Sequence, residues 1–414
     1  MLKTALKLSA VSLALSGGIL TAHAGGLERS SQDFDILFEE GNVVETGATF
    51  VAPQRKLKNI GGSTVGAITR GINPTTGKPY ETSVDEATSY WVPKISARFQ
   101  LTDELACAAQ YRQPWGIETD VGMGTERMYT AIKQKISSRD YGLNCSYRFA
   151  VTDKSFVRIL GGVSYQELKG YQTRLLPQQA IPGVGTLPFR IGTLDVEDES
   201  FGWRIGAAYE IPEIALRTSV VYQSKVKYEL SGTVDGVFPG AAANVMGEVS
   251  TPQSIDVKFQ TGIAPGWLAL AGVKWTDWSS VDRVGFNNTG ARYGIFQPGA
   301  EVTALNLYYK DGWTVMGGIG HKFNDQWSGA ATITWDRATS TGLTSQTDVW
   351  LFGLGASYKP QENFEIRLAG ALGWLGSGTL DDRVVNGEAK PTGSKADFSN
   401  DLVGGMTVSA KIKF

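Results

Sequence analysis

The chain ends in LVGGMTVSAKIKF, residues 402–414, and the reading of this stretch decides the fold. Back from Phe414, the residues Ile412, Ala410, Val408, Met406, Gly404 and Leu402 are apolar or small. Between them lie Lys413, Lys411, Ser409, Thr407, Gly405 and Val403. A period of two places alternate side chains on opposite faces of a β-strand. One face is greasy, the other carries two lysines, and the chain stops on an aromatic in mid-strand. Such a strand suits a sheet with a dry solvent on one side and a wetter space on the other.

The same alternation recurs along the chain. In WVPKISARFQL (91–101), Trp91, Ile95, Phe99 and Leu101 oppose Lys94, Ser96, Arg98 and Gln100. FGWRIGAAYEI (201–211), IDVKFQTGI (255–263) and FEIRLAGALGW (364–374) repeat the pattern. Tight polar or proline-containing turns fall at 102–104, 152–154, 211–213, 264–266, 324–326 and 359–363. Between them lie longer segments rich in Gly, Pro and Asn at 59–88, 116–126, 175–195, 231–249, 281–299, 339–346 and 379–399. Six short turns and seven long loops predict fourteen strands, with both chain ends on the short-turn side.

Short turns at one rim and long loops at the other mark a bacterial outer-membrane barrel, whose strand number is even. Lipid cannot satisfy backbone polar groups, so the sheet has to close. The expectation is therefore an all-β, 14-stranded antiparallel transmembrane barrel over residues 43–414, in the outer membrane of a Gram-negative bacterium. The greasy face of the last strand meets membrane lipid, and its lysines face the lumen. A charge on the lipid face at mid-membrane costs roughly 2–4 kcal/mol, which explains the strict alternation. Phe414 suits a recognition tag for barrel-assembly machinery.

The N-terminus agrees. Lys3 and Lys7 precede an apolar stretch at 8–20, then Ala22, His23 and Ala24, the pattern of a cleaved signal peptide over residues 1–24. Its apolar run is too short to span a bilayer. Without it, 37 basic residues face 41 acidic ones, with no basic cluster for nucleic acid. The tryptophans read as interfacial girdles: Trp267 and Trp327 follow short turns, while Trp115, Trp278, Trp335 and Trp374 sit near the opposite strand ends. Cys107 and Cys145 fall on consecutive strands in the lipid-facing phase. A cross-strand disulfide and two lipid-buried thiols are both open readings.

Catalysis has little support. The mature chain holds one histidine, His321, read as an interfacial residue beside a short turn. No cysteine cluster, G-x-S-x-G, phosphate loop or dinucleotide motif accompanies it, so neither an enzyme nor a cofactor or metal is expected. The inward phase says more. Ala106, Ala108, Leu268, Leu270, Val349, Leu351, Ala369 and Ala371 are interspersed with Arg98, Arg112, Arg148, Arg158, Lys258, Lys274 and Arg367. Apolar patches with isolated cations suit an amphipathic anion, with Arg158 or Lys274 holding its carboxylate; small residues packing against a plug explain the same pattern.

Two external segments, 175–192 and 231–247, are apolar for loops and carry Phe189, Phe238 and Met246. Contiguous apolar surface marks a binding site, though the two loops packing on each other is compatible with it. Residues 25–42, GGLERSSQDFDILFEEGN, are too irregular for a strand. They are expected to fold inward as a plug, with Phe34, Leu37 and Phe38 as its gate, because fourteen strands enclose a wide lumen. A periplasmic tail is the rival.

Three stretches carry a resemblance to a known family: VKWTDWSSV (273–281), DGWTVMGGIGHKFNDQWSGAATITWDR (311–337) and FGLGASYKPQENFEIRLAG (352–370). With them the chain resembles the FadL/TodX family of outer-membrane transporters for long-chain fatty acids and aromatic hydrocarbons. The resemblance implies a barrel plugged by an N-terminal hatch, capture between the third and fourth external loops, and sideways release at a kinked third strand. That strand ends here in YRQPWG (111–116), so Gln113, Pro114 and Trp115 become the lateral opening. The family's Asn-Pro-Ala hatch motif is absent; LFEEGN (37–42) stands in its place. The expected function is passive uptake of hydrophobic or amphipathic molecules, with Phe34, Leu37, Phe38, Arg158, Phe189, Phe238, Met246, Leu268, Leu270 and Lys274 as ligand-binding residues. The alternative is a diffusion porin for small polar solutes.

Overall fold

The computed structural model describes residues 26–30, 34–181, 185–240, 242–385, 388–390 and 393–414. The expected signal peptide, 1–24, lies outside them. Fourteen antiparallel strands close into one barrel. β1 (Val43–Pro53) and β2 (Tyr90–Gln100) are followed by β3, which comes in two pieces, Leu105–Arg112 and Gly116–Asp120. β4 (Lys133–Thr152), β5 (Ser155–Leu176) and β6 (Arg190–Ile211) are long. β7 runs as Leu216–Gln223 and Val226–Asp235, and β8 as Ala243–Thr251 and Ser254–Ala264. β9 runs as Trp267–Thr276 and Arg283–Asn288, and β10 as Glu301–Asn306 and Gly312–Lys322. β11 (Trp327–Asp336), β12 (Val349–Gln361), β13 (Phe364–Leu375) and β14 (Asp401–Lys413) complete the wall.

The barrel shuts where the terminal alternation required it. Val43 of β1 lies opposite Lys413 of β14, and the pairing continues to Pro53 opposite Val403. Trp91, Ile95, Phe201, Trp203, Leu354, Leu372 and Met406 are exposed on the lipid face, while Ala106, Ala108, Leu268, Val349, Leu351 and Ala369 are buried on the inner one. Every predicted short turn is present, at 101–104, 153–154, 212–215, 265–266, 323–326 and 362–363. Cys107 and Cys145 are directly paired across β3 and β4 and form a disulfide, which decides between the two readings of these cysteines.

The outer rim departs from the sequence reading. Most of 231–249 is strand, with only 236–242 as the connection, because Leu230, Val234, Ala243 and Val245 alternate into a core. Strands β4, β5 and β6 have 20, 22 and 22 residues, against the roughly 9–11 that a tilted strand needs to cross the membrane. Their upper halves stand outside and enclose an apolar core that includes Ile181, Leu187, Tyr228, Phe238 and Phe286. The two apolar loops thus pack on each other. Loops 59–88 and 379–399 also gain structure: Lys56–Gly61, Val84–Asp85, Gly378–Leu380 and Lys395–Phe398 form a small sheet over Leu57 and Phe398.

The girdle reading needs one correction. Trp335, Trp350 and Trp374 form an outer ladder with ring centroids 6.4 Å apart, and Trp267 stacks on His321 at 4.2 Å beside a short turn. Trp115 and Trp278 do not join either band. They are 3% and 2% exposed and lie inside the barrel. Both follow breaks in their strands, which take them out of the lipid-facing wall.

Candidate functional site

The lumen is filled in layers, and the inward residues of β5 give their order from the periplasmic turn upward: Arg158, Leu160, Ser164, Gln166, Leu168. At the bottom lie ion pairs. Glu39 holds Lys411, and Lys413 at 2.6 Å; Glu45 holds Lys94 at 2.7 Å and Arg367 at 3.3 Å. Arg98 donates to the Gly41 carbonyl. Burial pushes the Glu39 carboxyl up, but the two lysines outweigh that and hold it down at about 2.

Above them sits the N-terminal segment. Phe34, Ile36, Leu37 and Phe38 pack on Ala108, Leu160, Ala208 and Val221 of the wall, and the 3-10 turn Asp35–Phe38 is buried throughout. Arg158 donates to the Leu37 carbonyl at 3.2 Å and pairs with Glu210. Arg217 stacks over Phe38 at 4.2 Å, and Lys258 reaches Asp35 at 2.9 Å. A polar layer follows. Asp140 accepts from Arg112 at 2.8 Å, from Arg204, and from Gln166 at 3.1 Å; Tyr228 donates to Gln166 at 3.0 Å. Two guanidinium groups share one carboxylate here.

The next layer is an apolar cavity of about 70 Å³. Leu168, Leu194, Leu230 and Phe286 line its upper part, and Leu27, Trp115 and Trp278 lie on its boundary. Trp115 and Trp278 meet edge to face at 5.5 Å. A second cavity, of about 80 Å³, is charged, with Asp35, Arg217, Asp256, Lys258 and Lys274 around it.

The wall beside Trp115 is interrupted. β2 pairs with β3 only from Gln100 opposite Ala106 to Ile95 opposite Tyr111. Above, the two segments meet again at Thr88, whose Oγ1 donates to the Glu118 carbonyl at 2.9 Å, and at the bridge of Ala87 opposite Thr119. Among the described residues, 90–94 of β2 have no ladder partner on β3, which leaves a window in the barrel. Pro114 has no N–H to donate, and the break that follows it turns Trp115 inward. Residues 27–30 cover the window from inside. Gly116 N–H donates to the Leu27 carbonyl at 2.7 Å, Arg29 N–H to the Pro114 carbonyl at 2.7 Å, and Ser30 Oγ to the Gln113 carbonyl at 3.0 Å.

The structure thus brings Phe34, Leu37, Phe38 and Arg158 together. It places Gln113, Pro114 and Trp115 at the window, and seats Lys274 on Glu28. Leu268 and Leu270 pack with Ala330 elsewhere on the inner wall. Phe238 is 6% exposed and caps the external core against Tyr293, whereas Met246 is 41% exposed on the outside of β8. Phe189 is half-buried. Leu27, Trp278 and Phe286 escaped the sequence reading. For Trp278 a signal existed: it shares the parity of Leu268, Leu270, Lys274 and Thr276, all inward. The resemblance places Trp115 at the opening, but strict alternation from Cys107 turns its ring outward, and its inward position had no signal.

A model of the family described as "Outer membrane protein transport protein (OMPP1/FadL/TodX)" matches residues 36–410. The chain belongs to this family. It is therefore an outer-membrane β-barrel of a Gram-negative bacterium, in a family of transport proteins rather than enzymes. The fold is similar to that of a Pseudomonas aeruginosa FadL homologue, at 17% identity over 92% of each chain, with a TM-score of 0.74. It is also similar to the Pseudomonas putida toluene transporter TodX, at 16% identity over 97% of this chain and 98% of that one, TM-score 0.62. The Ralstonia pickettii toluene transporter TbuX gives 16%, 91% and 90%, and 0.61. No curated protein sequence matches this OMPP1/FadL/TodX member.

Proposed function

We propose that the protein is a passive, plug-gated uptake channel for hydrophobic or amphipathic small molecules, releasing them sideways through the β2–β3 window. The observation that carries this reading is the position of the apolar cavity: it rests on a charged layer below but touches Trp115, at the window, on its side. Each methylene kept out of water is worth ~0.8 kcal/mol. A greasy cargo moving down the axis would lose that burial against Arg112, Asp140 and Arg204, and would disturb paired buried charges. A cargo moving past Trp115 exchanges one apolar surrounding for another. The named cargoes of the structural relatives, toluene among them, are consistent with this route.

In this reading Phe189 and Met246 offer first contact at the outer rim, and Phe238 swings aside to admit cargo. Residues 25–42, of which 25 and 31–33 lie outside the described residues, are the plug, with Phe34, Leu37 and Phe38 sealing the axis. Arg158 and Lys274 face a carboxylate cargo only if it displaces Glu210 or Glu28. Leu268 and Leu270 line the wall below. Phe414, exposed at the periplasmic rim, is the handle for assembly machinery. The porin alternative fits poorly with a lumen closed by ion pairs, the Phe34–Phe38 cluster and the Asp140 layer.

Two measurements on purified protein in bilayers test the proposal. Ionic conductance should be close to that of the bare membrane, and a fluorescent lipophile should enter the bilayer faster with protein than without. Steady ohmic current, or no protein-dependent transfer, would overturn it.

A further inference from the structure

The lipid face of the wall is not smooth. Across β9 to β14, toward the periplasmic turns, it carries an apolar groove of about 650 Å³. Strand register sets its shape. One row across the wall runs Trp267, His321, Gly329, Ala356, Leu368, and the next runs Ile319, Ala331, Leu354, Gly370, Met406. Gly329 and Ala331 of β11 carry almost no side chain, so they form a floor. Ile319 and His321 stand on one side of it and Leu354 and Leu368 on the other. Ile319, Leu354, Leu368 and Met406 are all exposed to the membrane.

The lower end of the groove is polar. The His321 ring lies between Trp267 at 4.2 Å and Phe323 at 5.0 Å. Its Nδ1 is enclosed and has no hydrogen-bond partner among the described residues. The ring also lies beside Gly266 of a periplasmic turn, where a Cβ would come to 3.5 Å from Cε1. A stack of this kind sits at the level where lipid head groups begin. The hydrogen-bonding capacity of the imidazole is therefore left to a group from outside the chain.

We propose that the groove is a binding site for a glycerophospholipid of the periplasmic leaflet, with one acyl chain along β11 and an ester oxygen accepting a hydrogen bond from His321. The groove is continuous with the lipid-facing surface of an outer-membrane barrel, so lipid is what meets it. Its shape favours a chain over a second barrel. Two barrel walls are both convex, and a convex wall resting on Ile319, Leu354 and Met406 does not reach Gly329 or Ala331. An extended acyl chain is narrow enough to lie on them. Lipid supplies no hydrophobic drive, so retention comes from packing and from the polar end. An unfilled floor would forfeit dispersion contacts, and the bond to His321 forms where the dielectric constant is low. None of the groove's residues lines the window or the cavities of the lumen, so the site is independent of the transport route.

Native mass spectrometry of the purified barrel with palmitoyl-oleoyl phosphatidylethanolamine tests the site. Wild-type protein should keep a single bound lipid after the detergent is stripped. Ala331→Trp fills the floor and should abolish the adduct, while Val163→Trp, on the lipid face of β5, should leave it intact. His321→Phe preserves the ring stack without the nitrogens and should weaken binding roughly three- to tenfold, the equivalent of one hydrogen bond. Formation of the Cys107–Cys145 disulfide in each variant confirms folding. No adduct on wild-type protein, or one that survives Ala331→Trp, would overturn the proposal. So would a barrel dimer that Ala331→Trp disperses, since the occupant would then be a second copy.

Discussion

Trp115 and Trp278 meet edge to face at 5.5 Å in the lumen, one from the break in β3 and the other from the 3-10 turn Trp278–Ser280 that interrupts β9. The contact joins the window to the cavity floor, and Tyr309 adds a third ring at 5.5 Å from Trp278. Aromatic pairs of this kind contribute ~0.5–1.5 kcal/mol beyond their burial. Replacing Trp278 by Ala removes a fully enclosed ring and should destabilise the barrel by about 3–5 kcal/mol. Thermal unfolding checks this, and the enlarged cavity should raise the affinity for small aromatics.

The Cys107–Cys145 bond ties β3 to β4 below the window, on the lipid side. A double Cys→Ser variant should lose about 2–4 kcal/mol, the usual range for a native disulfide. Its midpoint in denaturant should match that of wild-type protein unfolded under reducing conditions.

At the periplasmic end, Glu39 titrates at about 2 because Lys411 and Lys413 stabilise its charged form against burial. A depressed carboxyl contributes stability above its unfolded value, near 4.3, and loses it as pH falls through the folded one. Hydrogen-exchange protection of residues 34–42 should therefore hold from neutral pH to about 4 and fall as pH approaches 2. In Glu39→Gln it should be weak at every pH.

The lipid face yields a positional prediction. Leu354 of β12 is exposed to the membrane, while its neighbour Leu351 is buried in the lumen. Leu354→Arg should cost roughly 2–4 kcal/mol near mid-membrane. A refolding titration into lipid vesicles measures it, with Leu354→Ala as the control.

The wall was legible in the sequence because a β-strand in lipid has no freedom to break its alternation. WVPKISARFQL and LVGGMTVSAKIKF therefore read correctly residue by residue, as did the short turns between strands. Legibility ended where a strand stops being regular. Trp115 changes sides at Pro114, and no rule of period two survives such a break. The charges were visible but their partners were not: Lys274 meets Glu28 and Lys411 meets Glu39 across hundreds of residues, contacts fixed by where the plug lies. The segment 231–249 looked like a loop because Gly and Pro dominate its tip, whereas Val234, Ala243 and Val245 build a core on either side.

The central claim is that cargo leaves through the β2–β3 window when residues 27–30 withdraw from β3. The same segment approaches β3 side by side at Gly116, where a Cβ would lie 2.8 Å from Arg29 Cδ, close enough for a cysteine pair to lock it in place. The direct measurement is lipophile transfer into proteoliposomes by Arg29→Cys/Gly116→Cys, in a background with Cys107 and Cys145 replaced by Ser. The account predicts transfer abolished when the pair is oxidised and restored by reductant. Undiminished transfer through the locked protein would contradict it.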